Sequence, residues 1–359
     1  MTCGPAHPQH PELDRTLRRR GFLGVAVGAT AAALLSPRAA TAAPTTAAGA
    51  AGAAAPGADG RPGCRPLVPR GRLGIQLYTV RDQIQKLGFA TVFKELERYG
   101  YDSVEFAGYT QGTGDLTLRQ LRRLLREHGL RGIGSHVGYW SGDPDAYTFA
   151  TQLEKVVDDA AALGLPHVGT AASPDRYGRT VDAWKRASED FNTYGAAARA
   201  RGLKFYQHNH QMEFGFAEDR PDVRLYDVLL AETDPELVYL EMDIYWAFAG
   251  KHRFSVRPDG TPAPFDPVDY VLAAPHRYPL FHVKDGEHDE ASPDGYRMVD
   301  VGDGDIDYER FLGTVLKRHR GRADHHWLME RDDAVDPAAN PAGSLTSARR
   351  SAAYLRGKR

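Results

Sequence analysis

The sequence predicts an α/β fold of the (β/α)8 barrel class, the TIM barrel. Short apolar runs, typical of buried strands, alternate with helical patterns from residue 73 onward, and this alternation favours a parallel sheet covered by helices. The alternating part of the chain also has the length of one such barrel, for which about 250 residues are typical. The eight predicted strands are residues 73–80, 103–107, 132–137, 167–171, 203–210, 239–244, 280–285 and 327–331.

Helical patterns connect these strands. The predicted helices include residues 116–128, 147–163 and 181–201, and leucines recur on one face of the first. Two longer connections, residues 249–267 and 286–305, are rich in proline, glycine and charge and are predicted to be loops that shape a pocket. An open doubly wound sheet is the alternative fold. It is disfavoured because no glycine-rich phosphate loop follows the first strand.

The first 42 residues have the features of an export signal. Arg19 and Arg20 precede an alanine-rich apolar run, and small residues that suit a cleavage site follow at 40–42. The apolar run has about 15 residues, fewer than the roughly 20 of a membrane-spanning helix. We predict a twin-arginine-type signal peptide over residues 1–42, export to the extracellular space or cell envelope, and no membrane association after its removal. A disordered basic tail is the alternative.

Residues 43–70 consist mostly of Ala, Gly, Pro and Thr. Such a segment cannot bury enough apolar surface to fold, so we predict a disordered linker that leads into a barrel domain at residues 71–359. Cys3 and Cys64 fall in the predicted signal and linker, which argues against a disulfide or cysteine chemistry in the barrel. The net charge of −2 and the lack of a basic run in the barrel argue against a nucleic-acid partner.

Four of the predicted strands end in residue types that bind metal ions. His208, Asp243, His282 and Glu330 each close an apolar run, where a charged group is costly to bury without a partner. Because the C-terminal strand ends of a barrel converge on one mouth, these residues predict a site for one divalent ion, Mn, Co, Fe, Zn or Mg. Taken singly, each residue has a loop cap or a salt bridge as its alternative role. Glu213, in the loop after the fifth strand, is a second candidate for the first ligand position.

Three residues near these strand ends are candidates for catalysis. His210 lies two residues after His208, on the same face of a strand, so one imidazole can bind the ion while the other acts as general acid or base. Lys284 lies two residues after His282 and is a candidate to bind or protonate a substrate oxygen. Glu330 is assigned to catalysis as well as to the metal ion.

Four further residues are predicted to bind the substrate. Glu105 and His136 end the second and third strands, where they can hydrogen-bond hydroxyl groups. A polar pair satisfied within the core is their alternative role. Tyr78 and Trp246 supply flat apolar surfaces near strand ends that suit a sugar ring, although such residues are also common in plain packing. An ion with mixed N and O ligands suits such a substrate because it polarises a carbonyl and stabilises the enediolate formed when the adjacent proton is removed.

Ordered motifs along residues 72–355 resemble the xylose isomerase-like barrels of the sugar phosphate isomerase/epimerase family. The motifs are residues 73–81, 104–108, 208–214, 241–246, 282–285, 302–307 and 330–332. The resemblance implies a TIM barrel in which Glu, Asp, His and Glu at the ends of strands five to eight hold a metal ion. Asp243, His282 and Glu330 match the last three of these ligands. His208 stands where epimerase-like members carry the first Glu, and two-base epimerisation uses both carboxylates.

The leading hypothesis is a divalent-metal-dependent sugar isomerase or epimerase that transfers a proton next to a carbonyl. The alternative enzyme is a lyase or dehydratase of the keto-sugar or inosose type, which the histidine at position 208 makes plausible. A non-catalytic sugar-binding barrel is the alternative from another class. An endonuclease related to the family is disfavoured because the chain lacks the further histidines of a trinuclear site. If the chain is exported, a sugar or keto-sugar without phosphate is the expected substrate.

Overall fold

The computed structural model of the protein describes residues 65–108, 116–318 and 324–358. The predicted signal peptide and residues 43–64 of the predicted linker lie outside this part of the chain. Inside the predicted linker, the backbone N–H groups of Leu67 and Val68 donate to the Leu355 carbonyl, and Val68 is fully buried. None of the described helices is both long and apolar enough to cross a membrane.

Eight parallel strands form a closed barrel, which confirms the predicted fold class. Each barrel strand pairs with the next barrel strand along the chain, and the last pairs with the first to close the barrel. The barrel strands are β1 Leu73–Gln76, β2 Ser103–Ala107, β3 Arg131–His136, β4 His167–Thr170, β5 Lys204–His208, β6 Val238–Asp243, β7 Leu280–Val283 and β10 His326–Met329.

Helices lie between the barrel strands, and several begin at a side chain that caps them. Thr117, Thr148 and Thr180 each accept a hydrogen bond from a backbone N–H three residues further on, which satisfies one of the free donors of the first helical turn. Gly164 ends one helix with φ of 81°, a conformation that favours glycine. The helices are α1 Arg81–Tyr99, α2 Leu118–Glu127, α3 Phe149–Leu163, α4 Val181–Ala200, α5 Leu225–Glu232, α6 Ile244–Phe254, α7 Pro267–Ala273, α8 Tyr308–Arg318 and α9 Ser344–Leu355.

The barrel interior holds an apolar layer below the predicted site. Tyr206, Leu280 and Leu328 belong to one buried cluster, together with Ile133. Each of the first three lies two residues before a predicted metal ligand, and residues two apart on a strand share a face. The same inward-facing side of each strand therefore carries an apolar residue below and a candidate ligand above.

The two predicted loops contain regular structure. Residues 286–305 include an antiparallel hairpin, β8 Asp285–His288 and β9 Tyr296–Val299, and α6 occupies the first part of residues 249–267. Strands β1 and β5 are shorter than predicted: β1 ends at Gln76, where a 3-10 turn begins, and β5 ends at His208. These earlier ends place residues 77–80, His210 and their neighbours in the turns at the barrel mouth.

Candidate metal centre

A cavity of about 520 Å³ opens at the C-terminal ends of the barrel strands. Its wall includes seven residues that the sequence predicts to be functional: Tyr78, His136, His208, His210, Trp246, Lys284 and Glu330. Asp332 also lines it, with small residues at and after the ends of β2, β3 and β4. The predicted ligands Asp243 and His282 are fully buried and lie at its base.

Strand register places the candidate ligands on neighbouring strands close to one another. Asp243 on β6 pairs with His282 on β7, and His208 on β5 pairs with Glu241 on β6. In parallel strands with this register the paired side chains stand side by side on the inner face. Glu330 follows β10, one residue beyond the pair that Met329 forms with Val283.

The other predicted ligands lie around the Asp243 carboxylate, and two of them face its Oδ2 atom. His208 Nε2 lies 3.7 Å from it and His282 Nδ1 lies 4.0 Å from it. The same His282 Nδ1 is 2.7 Å from Glu330 Oε2. Ligand atoms of Asp243, His282 and Glu330 all lie within 4.8 Å of one another, which is the spacing of groups that share a metal ion.

The two carboxylate oxygens of Asp243 have different partners: one caps a helix and the other faces the candidate ligands. Its Oδ1 accepts the backbone N–H of Trp246 at 2.9 Å and caps α6. The backbone of Asp243 is also bound on both sides by the Asn209 side chain at 3.2 Å. Oδ2 is buried and faces the Lys284 ammonium at 3.0 Å and the imidazoles of His208 and His282 at 3.7 and 4.0 Å. A buried carboxylate oxygen that faces two imidazoles fits the mixed N and O ligation of a divalent ion.

The ammonium group of Lys284 contacts three carboxylates of this site. Its Nζ lies 3.0 Å from Asp243 Oδ2, 3.0 Å from Glu330 Oε2 and 2.8 Å from Asp332 Oδ1. Burial lowers the pKa of Lys284, but the attraction of these carboxylates outweighs burial and keeps the pKa well above its usual value. Lys284 is therefore an ammonium at neutral pH, suited to bind a substrate oxygen rather than to give up a proton.

His210 is a histidine of the cavity wall whose surroundings disfavour its protonated form. Burial, together with the nearby ammonium of Lys284, lowers the pKa of His210 to about 3. Its ring lies 5.0 Å from the His208 ring and 5.9 Å from the Trp246 ring, measured between centroids. The imidazole is therefore unprotonated at neutral pH, and it can act as an efficient general base only in a state of the site that raises its pKa toward the operating pH.

Glu213 does not lie among the candidate ligands. Its Oε2 accepts the backbone N–H of His210 at 3.0 Å, so it fixes the turn after β5. Burial raises the pKa of Glu213 to about 7. Of the two candidates for the first ligand position, the structure places His208 at the site.

A second polar layer lies under the candidate ligands. Glu105 is fully buried there; its carboxylate accepts hydrogen bonds from Gln76 Nε2 at 2.8 Å and from the Tyr206 hydroxyl, and lies 2.6 Å from His282 Nε2. Glu105 was predicted to reach the substrate; the structure instead places it beneath the cavity, with its oxygens occupied. His136 lines the cavity and also lies 2.7 Å from Glu241 Oε2.

The aromatic residues of the predicted sugar site stand at the mouth. Tyr78 is 41% exposed, and the Arg81 guanidinium stacks 3.6 Å from the centre of its ring. Lys284 Nζ lies 5.7 Å from the centre of the Trp246 ring. Both aromatic residues therefore border the space above the charged groups.

Two residues of the site were missed from the sequence. Glu241 is fully buried and belongs with His136, His208 and His282 to a second group of possible ligands. Asp332 lines the cavity and binds Lys284. Each stands two positions from a predicted ligand, Glu241 before Asp243 and Asp332 after Glu330, so the period of a strand was the signal that pointed to them.

The chain belongs to the xylose isomerase-like TIM barrel family, whose sequence profile matches residues 93–349. No curated protein matches the chain.

Solved structures share the fold at low sequence identity. A sugar phosphate isomerase/epimerase from Parabacteroides distasonis is 22% identical, with a TM-score of 0.61 over 80% of this chain and 94% of that one. A second protein of that description from the same organism is 23% identical, with a TM-score of 0.59 over 79% and 97%. The IolI protein, whose crystal structure carries a bound zinc atom, is 15% identical, with a TM-score of 0.57 over 80% and 98%. These likenesses show the fold.

Proposed function

We propose that the protein is a divalent-metal-dependent sugar isomerase or epimerase that moves a proton next to a carbonyl group. The observation that carries this proposal is the buried cluster of Asp243, His282 and Glu330, whose ligand atoms lie within 4.8 Å of one another, with His208 Nε2 3.7 Å from Asp243 Oδ2. Asp243, His282, Glu330 and His208 would hold the ion. When bound, a divalent ion acts as a Lewis acid toward a sugar carbonyl.

His210 is the proposed base. Its imidazole lies on the cavity wall beside the candidate ligands, with its ring 5.0 Å from the His208 ring. It removes the proton from the carbon next to the substrate carbonyl; the C–H electron pair forms a C=C bond, and the C=O π pair moves onto the carbonyl oxygen. Return of the proton to the former carbonyl carbon, with loss of the proton of the neighbouring hydroxyl group so that this group becomes the new carbonyl, gives the isomer. Protonation of the original carbon from the opposite face by a second acid gives the epimer.

Lys284 is proposed to hold the substrate oxygen on which negative charge develops. Its ammonium is fixed by Asp332, at 2.8 and 2.9 Å, and is therefore oriented before the substrate arrives. A charged donor fixed in a buried site stabilises developing negative charge more than it would in water. Tyr78 and Trp246 supply the apolar surfaces against which a sugar ring packs.

A lyase acting on a keto-sugar is the second candidate, and the group at the end of β5 favours it. A two-base epimerase uses two carboxylates, whereas the β5 end presents the imidazoles of His208 and His210. Glu213, the nearby carboxylate, is held by the His210 backbone. One base is enough to remove the proton in an elimination, after which the leaving group departs from the next carbon.

We further propose that the chain is exported and acts on a sugar without phosphate. Arg19 and Arg20 in the N-terminal segment support export. Replacing both with Lys should retain the protein in the cytoplasm, as seen by fractionation of cells that express the full chain. Export of the doubly substituted chain at the unchanged rate would contradict this proposal.

The first test is metal content. The protein is expected to purify with, or to take up, one Mn, Co, Fe or Zn ion per chain, and the double variant Asp243→Ala, Glu330→Ala is expected to lose it. Elemental analysis after incubation with each ion measures this directly. A chain that binds none of the four ions overturns the proposal.

The second test identifies the reaction. Keto-sugars and aldoses are incubated with the metal-loaded protein in D2O and followed by NMR. Deuterium on the carbon next to the carbonyl, with conversion to an isomer or epimer, supports the leading proposal. Release of water or of an aglycone supports the lyase. Saturable sugar binding without exchange overturns both and leaves a sugar-binding barrel.

A further inference from the structure

Two imidazoles of the candidate site are each held between an inner and an outer carboxylate. His282 contacts Glu105 with its Nε2 at 2.6 Å and Glu330 with its Nδ1 at 2.7 Å. His208 contacts Glu241 with its Nδ1 at 3.1 Å, and its Nε2 faces Asp243 at 3.7 Å. The inner carboxylates, Glu105 and Glu241, are fully buried.

The direction of the hydrogen bonds around Glu105 can be traced from a group that only donates. The backbone N–H of Tyr78 donates to Gln76 Oε1 at 3.1 Å, which fixes the orientation of the Gln76 amide. Gln76 Nε2 must therefore be the group that donates to Glu105 Oε2, at 2.8 Å. The Tyr206 hydroxyl donates to the other oxygen, Oε1. Both Glu105 oxygens thus act as acceptors.

An acceptor at Glu105 fixes the tautomer of His282. Its Nε2 must carry the hydrogen that points to Glu105 Oε2, 2.6 Å away. That leaves Nδ1, the atom that faces Asp243 and Glu330, as the atom with the free lone pair when the imidazole is neutral. A metal ion binds the neutral imidazole through this lone pair.

A similar argument applies to His208, with the roles of the two ring nitrogens exchanged. Glu241 Oε2 lies 2.7 Å from His136 Nε2 and 3.1 Å from His208 Nδ1. A hydrogen on Nδ1 points inward to Glu241 and leaves the Nε2 lone pair facing Asp243 Oδ2. Metal-binding histidines usually donate their second ring N–H to a carboxylate in this way.

We infer that Glu105 and Glu241 are positioning residues that set opposite tautomers at the two histidines, so that His282 binds the ion through Nδ1 and His208 binds it through Nε2. The inference rests on the metal site of the proposed function. The chain from the Tyr78 backbone through Gln76 and Glu105 also links the turn after β1, at the cavity mouth, to a candidate ligand on β7, two strands away in the barrel. In this arrangement neither glutamate would be a ligand of the ion.

The deciding experiment uses Zn²⁺ alone as the probe. Long-range ¹H–¹⁵N NMR spectra of histidine-labelled, zinc-loaded protein show which ring nitrogen of each histidine carries hydrogen. The expected spectrum has Nδ1 of His282 and Nε2 of His208 on the metal. Zinc on Nε2 of His282, or on Nδ1 of His208, overturns the inference. This measurement uses the unchanged chain and does not depend on how any variant folds.

Metal affinity supplies a second readout. Glu105→Gln places an amide beside His282 that can donate to Nε2 and so favours the wrong tautomer, and we expect about a 10- to 100-fold loss of Zn²⁺ affinity. Tyr206→Phe is the matched control: it removes a donor to Glu105 and keeps the carboxylate, so affinity should change little. Equal affinity in Glu105→Gln and the unchanged protein would contradict the inference.

Stoichiometry separates this inference from its rivals. Two zinc ions per chain would make His136 and Glu241 ligands rather than positioning groups, and would overturn it. No zinc binding at all would overturn it together with the proposed function. Zinc bound through the expected nitrogens, with no sugar turned over, would remove the proposed reaction and leave the inference supported.

Discussion

The ammonium of Lys284 lies 3.0 Å from Asp243 Oδ2, the oxygen on which the candidate ligands converge. The protein thus places a side-chain cation beside the oxygen that a divalent ion would bind. Glu330 contacts both this ammonium and a candidate metal ligand, since its Oε2 is 3.0 Å from Lys284 Nζ and 2.7 Å from His282 Nδ1. A metal ion at this site would therefore share its carboxylates with Lys284.

Removal of this ammonium should make the fold depend on metal. Lys284→Met leaves Asp243, Glu330 and Asp332 without their shared partner, and breaking a buried ion pair costs about 3–5 kcal/mol. We expect a lower melting temperature in chelator and a larger rise on adding Mn²⁺ than in the unchanged protein, because the ion then neutralises the carboxylates. Calorimetry with and without Mn²⁺ measures both. Lys251→Met, at a surface pair with Asp266, is the control and should shift neither. An unchanged melting temperature in chelator would argue against the role given to Lys284.

Replacement of His210 should separate chemistry from metal binding. His210→Asn removes the proposed base, and loss of a general base lowers kcat by roughly 100- to 10,000-fold. Because His210 is not among the candidate ligands, metal content should stay at the unchanged value. Deuterium exchange from D2O into the substrate and elemental analysis give the two readouts. Full exchange activity in His210→Asn would assign the base to another residue.

Stability should fall in acid partly because of His167. This residue is buried, and its Nδ1 lies 2.9 Å from the Ile133 carbonyl. Burial lowers the pKa of His167 from 6.5 to about 4 in the folded protein. The unfolded chain therefore binds the proton more readily, and this contribution destabilises the fold as pH drops from about 6.5 to 4, by about 1.4 kcal/mol per pH unit.

Above pH 6.5 the same residue has no effect on the pH dependence. His167→Asn retains a donor near the Ile133 carbonyl and removes the titrating ring, so the slope of unfolding free energy against pH between 4 and 6.5 should decrease. Urea unfolding at several pH values measures this slope. His252→Asn, at an exposed histidine, is the control and should leave the slope as it is. An unchanged slope in His167→Asn would show that other groups dominate.

Asp285 should be needed to fold the connection between β7 and α8. Its carboxylate accepts backbone N–H groups of Gly286 and Gly302, both at 2.9 Å, and two longer bonds from Gly304 and Ile306. Asp285→Ala leaves these donors without their acceptor and should destabilise the fold by at least about 2 kcal/mol. Asp285→Asn keeps one acceptor oxygen and should cost less. Urea unfolding ranks the variants, with Asp259→Ala at an exposed turn as the control; equal losses for Asn and Ala would refute the hydrogen-bond explanation.

Gly304 gives an independent check of the same contact. A Cβ at this position would collide with the Asp285 carboxylate. Gly304→Ala should therefore destabilise the connection, whereas Gly313→Ala, with open space around its Cβ position, should not. Gly313 lies in α8, where alanine is also the better helix former, so its variant should be at least as stable as the unchanged protein.

The barrel and the main ligand set could be predicted because both follow from local sequence. A strand buried on both faces reads as an apolar run, and the residue at its C-terminal end faces the mouth. Asp243 and His282 were found in this way, and their strands pair them directly. Glu241 was missed since it lies inside its apolar run, two residues before Asp243, and looks like an interruption of that run.

Other features depend on contacts between distant parts of the chain. The hairpin of β8 and β9 has polar residues on both strands, so its pattern resembles a loop. Helix α6 begins directly after Asp243, whose carboxylate caps the helix. Asp243 is thus both a cap and a candidate metal ligand, and the periodicity of the sequence does not reveal this combination. The tautomers of His208 and His282 depend on glutamates from other strands, which sequence spacing alone cannot align.

The pairing of β1 with β10 has a consequence for how the protein is made. Arg72, beside the first strand, contacts His326 at 2.9 Å across 254 positions of sequence. At a synthesis rate of about 5–20 residues per second, the ribosome needs on the order of 10–50 s to make this stretch. For that time one edge of β1 has no partner and exposes backbone groups that other chains can pair with. Until the last strand emerges, this edge of β1 is therefore a place where the unfinished barrel can pair with other chains.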